Sequence, residues 1–443
     1  MGNIMESFIV QTKITTFQWK VIAICFFIVL LDGYDIAIVA YIAPLLKKEM
    51  LLSSVNVSYL FVSGVLGLML GSMLFGSLAD KFGRKFILIV SIALYGVTTI
   101  LCGFVNDLFL LVLFRFLTGL GLGGAMPICI ALCSEYSPQR YKMLLCTLSW
   151  SGFTLGISLG GIISSWLLQE FSWHWLFYIG GILPILSIII VVVSLPESLE
   201  FLVRNRLKYG NFEKLRIILE KINGIHIDVL LEKINSTDVC DNYLLPTVKY
   251  LFKKENAFYT IFLWLTFFFS LMVFYLLAYW IPILFDVLFS LDKINFLASM
   301  LPLGGTFGAF LLAILIDYKK ESFLILSLSY LTSVIFLLLT PNFIDDYNWL
   351  LFFVFLVGFT IAGAQNGINI VSATIYHENI RATGIGWSMA SGRLGSIVGA
   401  YIGVFLTKDQ EIDFFFNCLS IGTLICGLSL LCILLYRRVK NGL

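Results

Sequence analysis

The sequence predicts an all-α membrane protein in which twelve transmembrane helices form two pseudo-symmetric six-helix bundles. Three observations predict it. First, the 443 residues are 59% hydrophobic and only 13% charged, with a mean hydropathy of +0.96; soluble domains carry roughly 25% charged residues. Second, the apolar runs are continuous over the ~20 residues that a helix needs to cross a bilayer. They lack the in-out alternation of a β-barrel strand. Third, one polar insertion separates six such runs from six others, and the two sets echo each other.

The spans fall near 20–45, 55–78, 86–105, 108–132, 143–168 and 175–195, then 258–284, 295–316, 323–340, 349–373, 383–406 and 414–436. Trp19 and Lys20 suit an interfacial anchor at the start of the first. The mixed polar residues before it do not read as a cleavable signal. Residues 1–195 are therefore expected to form one bundle, 196–256 a linker and 257–443 the second bundle. Within the linker, Glu213–Asn223 and Leu230–Asn235 both end in Leu-Glu-Lys-Ile-Asn with apolar residues at helical spacing. Short amphipathic helices along the cytoplasmic surface are expected there.

Orientation follows from the cations. Of 29 lysines and arginines, only Lys47, Lys48, Lys293 and Lys408 fall in loops on one side, and Arg115 and Arg393 lie inside spans. The remainder collect on the other side, which the positive-inside rule makes cytoplasmic, with both termini. The echo between halves is local and specific. Glu135-Tyr136 to Arg140 after span four matches Tyr376 to Arg381 after span ten. Trp150-Ser151 and Trp387-Ser388 follow, each leading into a ladder of glycines. Asp80, Lys81, Arg84 and Lys85 between spans two and three have a weaker counterpart in Asp317, Lys319 and Lys320. Six-plus-six repetition with binding between the halves is the plan of secondary transporters.

Four charges interrupt the apolar spans: Asp32 and Asp35 in the first, Arg115 in the fourth, Arg393 in the eleventh. A charge at mid-bilayer costs at least ~2.5 kcal/mol on insertion scales, so such groups face a protein-lined interior. Residues three apart share a helix face, which points both acids into the bundle. Burial favours the neutral carboxyl, a nearby arginine favours the charged one, and two close acids titrate together. That suits a proton carrier, with Arg115 as partner of one acid. A static lock between the acids and Arg115 is the structural alternative. No histidine lies within a span, so the proton path is expected to run on carboxylates.

At ~1.5 Å per residue, Asp32 and Arg393 lie about 18 Å into their spans and Arg115 about 10 Å in from the outer end of its own. All can reach one central cavity. A guanidinium holds a carboxylate through two parallel hydrogen bonds, which assigns the substrate anion to Arg393. The reverse assignment, with Arg115 on the anion, stays open. Tyr34, Phe153, Tyr275 and Trp387 are candidate aromatic walls. Asn366 and Asn369, beside Gln365, are amides that need partners, from a substrate hydroxyl or from another helix. Tyr279 and Trp280, near the outer end of span seven, are further wall candidates, with the interfacial belt as the alternative.

Gly76-Ser-Leu-Ala-Asp80-Lys-Phe-Gly83-Arg84-Lys85 resembles the signature that joins spans two and three in the major facilitator superfamily. Asp32-Gly33-Tyr34-Asp35 resembles the Asp-Gly-x-Asp element of its aromatic acid/proton symporter family. Pro196-Glu197-Ser198, Ala364-Gln365, Arg381-Ala-Thr-Gly384 and Gly392-Arg393 have the same look. The resemblance implies the major facilitator fold and proton-coupled uptake of a small organic anion, a benzoate-type acid first, by alternating access. It also implies a cytoplasmic gate at Gly76, Asp80, Gly83, Arg84, Glu135, Arg140 and Arg381. Gly76 would let a neighbouring helix approach, and Asp80 would meet a helix N-terminus or Arg381.

A bacterial inner-membrane location follows from the same likeness, with the organic acid, protons and lipid as partners and a monomer as the expected state. Quinate-, nicotinate- or dicarboxylate-like cargo, or a substrate-sensing receptor without transport, are the alternatives. A net charge of +2 gives no reason to expect a nucleic acid. Nine cysteines without CxxC or Cys/His spacing give none to expect a metal or other cofactor, and no nucleophile–base pair suggests an enzyme.

Overall fold

Thr15 starts the first helix through a reciprocal cap. Its hydroxyl oxygen accepts from the Gln18 N–H, and the Gln18 side chain accepts from the Thr15 N–H at 2.8 Å. Ser53 and Asp107 cap the second and fourth spans in the same way, each accepting from an N–H three residues on. Polar caps thus sit where the chain leaves water, and apolar sequence carries the helices across.

The computed structural model describes residues 14–138, 140–204, 211–223, 248–319, 321–372, 375–376, 378–408 and 411–440. The first half holds α1 (Thr16–Glu49), α2 (Ser54–Phe82), α3 (Arg84–Cys102), α4 (Leu108–Tyr136), α5 (Lys142–Glu170) and α6 (His174–Ser194). Two shorter helices follow, α7 (Leu199–Arg204) and α8 (Asn211–Asn223). The second half holds α9 (Lys254–Leu284), α10 (Leu291–Lys319), α11 (Ser322–Leu339), α12 (Tyr347–Ser372), α13 (Glu378–Leu406) and α14 (Ile412–Lys440). Twelve of these are long and apolar enough to cross a membrane. The amphipathic α8 buries Leu215, Leu219 and Ile222, as its sequence requires. The second expected linker helix, Leu230–Asn235, and His226 lie outside the described residues.

Packing repeats between the halves. The pairs α2–α4, α1–α5 and α3–α6 of the first correspond to α10–α12, α9–α13 and α11–α14 of the second. The α2–α4 crossing is close because Gly71 faces the backbone carbonyl of Leu120, where a Cβ would collide. The Gly83 backbone between α2 and α3 has φ 102°, and an added Cβ would lie 2.7 Å from a Glu197 oxygen. Gly76 behaves otherwise. A Cβ there would meet nothing within 4 Å, so this glycine is not where a helix approaches, contrary to the expectation above.

The halves meet through α5–α10, α2–α13 and α1–α9. From mid-helix toward the end away from the termini, these contacts are dense. Thr154 and Thr306 share a hydrogen bond of 2.7 Å between α5 and α10. Gly161 sits against Ser299 and the Asn295 carbonyl. Phe61 of α2 stacks on Tyr279 of α9, with centroids 4.5 Å apart. At the rim, Lys48 pairs with Asp286 at 2.9 Å.

At the opposite end, which carries the termini and most cations, the ion pairs stay on one side of the interface: Arg438 meets Glu321 at 3.2 Å in the second half, and the others lie in the first half and its linker. Arg84 contacts Glu135, reaches Glu200 at 2.9 Å and lies 4.0 Å from Asp80. Among the described residues no ion pair joins the halves at this end. Overpacking a tight crossing costs about 1–3 kcal/mol. Gly71→Val is therefore expected to lower the melting temperature of the detergent-solubilised protein. Gly76→Ala, placed in open space, is expected to leave it unchanged in the same assay.

Candidate substrate and proton site

The charged residues of the spans divide by half. In α1, Asp35 is fully enclosed (0% exposed), and Asp32 is nearly so (2%). They lie on neighbouring turns but have different surroundings. The Arg115 guanidinium of α4 lies 3.4 Å from Asp35 Oδ2, and its Nη2 also donates to the Asp35 carbonyl at 3.1 Å. Thr99 of α3 donates to Asp35 Oδ1 at 2.7 Å. Thr118 then links to Thr98 at 2.8 Å, extending the polar cluster. Phe177 of α6 places its ring 5.7 Å from the Arg115 guanidinium carbon. Arg115 Nε and Nη1 have no protein partner. This pair is the one the spacing left open: Arg115 serves Asp35, not Asp32.

Among the described residues Asp32 meets no cation. The Tyr95 phenol of α3 lies alongside its carboxyl. The approach falls short of a well-formed hydrogen bond, for both Asp32 oxygens and the Tyr95 hydroxyl are enclosed without a protein partner. Ser91, one helical turn from Tyr95 on the same face of α3, is equally enclosed and unpartnered.

The second half contributes Arg393 from α13. It is half-buried, and its Nη1 donates to the Tyr275 hydroxyl of α9 at 3.3 Å. Tyr279, one turn further along α9, lies near enough to feel the charges of Arg115, Asp35 and Arg393 together. It is buried at the centre of the molecule, and Trp280 donates to the Ala400 carbonyl at 3.1 Å. Neither forms the interfacial belt that the sequence left as the alternative. On α12, Asn366 is buried and Asn369 half-buried, with the Gln365 amide donating to Asn369 at 3.4 Å.

Other candidates fall elsewhere. Tyr34 donates to the Leu176 carbonyl at 3.4 Å and packs between α1, α5 and α6. The Phe153 carbonyl abuts Gly33 at the α1–α5 crossing. Trp387 is 45% exposed and stacks on Trp264 at 5.8 Å. Six residues of helix turn it about 120° away from Arg393, so the two do not share a wall.

The gate candidates form a belt at the basic end. Glu135 accepts from the Ser198 hydroxyl at 2.8 Å and from the Glu200 N–H at 3.4 Å, in addition to its contact with Arg84. Glu197 accepts from the Lys85 N–H at 3.0 Å in the first turn of α3, where the helix dipole favours a carboxylate. Asp80, expected at such a position, is instead 65% exposed. Arg140 is exposed and lies against Tyr141, 5.5 Å from its ring. The side chains of Arg381 and Glu378, and residue His377, lie outside what the structure describes. Among the described residues, no group of three or more His, Cys, Asp or Glu is placed to hold a metal ion.

Sequence reading missed Thr99, Tyr95 and Ser91, although their spacing of four along one apolar helix marks a single polar stripe. It also missed Glu197 as the cap of α3.

The chain belongs to the Major Facilitator Superfamily, whose family profile matches residues 25–400 and again 263–441. It is a membrane transporter, not an enzyme. It is 34% identical over 408 residues to the 4-hydroxybenzoate transporter PcaK of Acinetobacter baylyi, covering 90% of this chain and 87% of that one. The benzoate transport protein of the same organism is 32% identical, with 93% and 88% covered. The gallate transporter of Pseudomonas putida is 29% identical, with 96% and 94% covered. The xylose transporter XylE of Escherichia coli, in a partially occluded inward open conformation, superposes with a TM-score of 0.75 at 15% identity. That alignment covers 94% of this chain and 97% of XylE.

Removing one member of a buried ion pair strands the other charge, at about 3–5 kcal/mol. Arg115→Leu is thus expected to destabilise the detergent-solubilised protein strongly, and adding Asp35→Asn to restore part of the loss. A double-mutant cycle on melting temperature reads this coupling; simple additivity would mean the pair does not interact.

Proposed function

We propose that this protein takes up an aromatic monocarboxylate, of the 4-hydroxybenzoate or benzoate type, together with protons. The basic end faces the cytoplasm with both termini, in a bacterial inner membrane, and a monomer is the working unit. The arrangement that carries the reading is Tyr279, which stacks on Phe61 of the first half and lies 5.4 Å, ring to ring, from Tyr275, the partner of Arg393 in the second. The named substrates of the relatives supply the cargo class.

Protonation of an α1 carboxyl occurs while the chamber faces out. The substrate carboxylate then docks on Arg393, with its ring beside Tyr275 and Tyr279. Asn366 and Asn369 are placed on α12 to meet a ring hydroxyl. The dense α5–α10 and α2–α13 contacts beyond mid-membrane part and re-form as the halves rock. Asp80, Gly83, Arg84, Glu135 and Arg381 govern the inner side, and Glu135–Arg84 holds the first half as one body there. The membrane potential adds about 2.3 kcal/mol per 100 mV to each inward positive charge.

A second reading exchanges the arginines. The unpartnered Nε and Nη1 of Arg115 favour it, since they could take a carboxylate. Lysine substitutions separate the two, because an ammonium cannot replace the bidentate fork. In proteoliposomes, Arg393→Lys is expected to weaken 4-hydroxybenzoate binding at least tenfold. Unchanged affinity would move the anion to Arg115. Asp32→Asn is expected to abolish accumulation against a gradient while the protein still inserts and melts normally. Proton-driven accumulation by that variant at the wild-type level would remove Asp32 from the coupling scheme.

A further inference from the structure

Three features of the first half stand outside the ion pair. Asp32 is 2% exposed and has no cation beside it among the described residues. Tyr95, fully buried, aims its phenol at that carboxyl. Ser91 continues the same face of α3 one turn away. Their four polar atoms, Asp32 Oδ1 and Oδ2, the Tyr95 hydroxyl and the Ser91 hydroxyl, are all enclosed with no protein partner. Unpartnered buried polar groups are uncommon in folded proteins, and a carboxyl and a phenol left so among the described residues, with a hydroxyl one turn along the same stripe, mark a place where a bound species is exchanged.

Resting on the proton-coupled reading above, we propose that Asp32, Tyr95 and Ser91 form the proton-binding pocket. Asp32 takes the proton, Tyr95 and Ser91 are its positioning residues, and Asp35–Arg115 is a neighbouring, separate device. The physical case is one of complementary partners. An ionised carboxyl only accepts hydrogen bonds, and a protonated one also donates; a tyrosine hydroxyl can serve both states by turning. Asp35 is different, because the Arg115 guanidinium lies 3.4 Å from its Oδ2 and, being a cation that only donates, matches the charged carboxylate. Asp32 can therefore lose and gain a proton without leaving a neighbour mismatched, whereas a proton on Asp35 would leave the buried Arg115 charge without its counter-ion.

The ionisable groups around Asp32 are few. They are Asp35 on its own helix, Tyr95 on α3, and Cys129 on α4 with Cys25 beside it. Arg115 on α4 is engaged by Asp35. Gly33 and Gly156 bring the α5 backbone against α1 without a charge.

Tyr95→Phe keeps the ring and removes the hydroxyl. In proteoliposomes loaded with 4-hydroxybenzoate, its exchange of labelled for unlabelled substrate is expected to persist, which shows a folded carrier. Proton-driven accumulation is expected to fall, and the midpoint of its pH profile to move toward higher pH by about one unit, the tenfold effect of losing a donor to the charged carboxyl. Ser91→Ala is expected to shift the midpoint the same way by less, and serves if Tyr95→Phe does not insert. Infrared spectra should show a protonated-carboxyl band that Asp32→Asn removes and Tyr95→Phe displaces.

An unchanged pH profile in an exchanging Tyr95→Phe protein overturns the pocket, as does a carboxyl band removed by Asp35→Asn instead. Wild-type protein that exchanges no aromatic acid, or accumulates it on a sodium gradient alone, overturns the functional reading beneath it.

Discussion

A guanidinium and a carboxylate enclosed together inside an apolar bundle constrain everything around them. Arg115 and Asp35 are 3% and 0% exposed, so each is affordable in the membrane interior only with the other present. Meeting that requirement ties four helices together. α1 supplies the acid, α4 the base, α3 the threonine that donates to Asp35, and α6 the ring against the guanidinium. The close α2–α4 crossing and the α1–α5 crossing are the packing that holds α1 and α4 at this separation. The ion pair thus fastens four helices of the first half to one another, while Asp32 and Tyr95 beside it are left without a protein partner among the described residues.

The second half is built on the same helix plan with different chemistry. Its interior charge is Arg393 alone, half-buried and held by one tyrosine hydroxyl. A half-buried cation held by one neutral hydroxyl is suited to a transient anion, as Arg115 beside Asp35 is suited to a permanent one. Tyr279 is pressed on Phe61 of the opposite half. Beyond mid-membrane the interface is held by the Gly161–Ser299 contact, one threonine pair, the Phe61–Tyr279 stack and the exposed Lys48–Asp286 pair at the rim, contacts that can separate at modest cost. At the basic end the strong ion pairs link α2, α3, α4 and α7 within one half, so they do not resist separation of the two.

Most of the fold was legible in the chain because bilayer thickness and helix rise together fix how long an apolar run must be. The expected spans agree with the helices to within a few residues at nearly every end; the helices run longer where Lys47, Lys48 and Lys440 extend them into water. The four interior charges were legible for the same reason, since nothing else in those spans is ionised. What could not be read was who partners whom. Asp32 and Asp35 differ by one turn, and only the rotation and depth of α3 and α4 decide that Thr99 and Arg115 meet the second acid while Tyr95 meets the first. Tyr95 and Thr99 carry no signal alone in a chain rich in hydroxyl and aromatic residues. Gly76 misled because a motif glycine says where a helix can approach, not whether one does. Trp387 misled because proximity in sequence to Arg393 is not proximity round the helix.

The central claim is that substrate and proton cross in one coupled cycle run by groups from both halves. Adding 4-hydroxybenzoate to weakly buffered proteoliposomes, with no gradient imposed and an internal pH dye, measures it directly. Substrate entry accompanied by internal acidification in a fixed ratio, lost together in Asp32→Asn, is the predicted result. Entry of the labelled acid with no movement of protons would contradict the account.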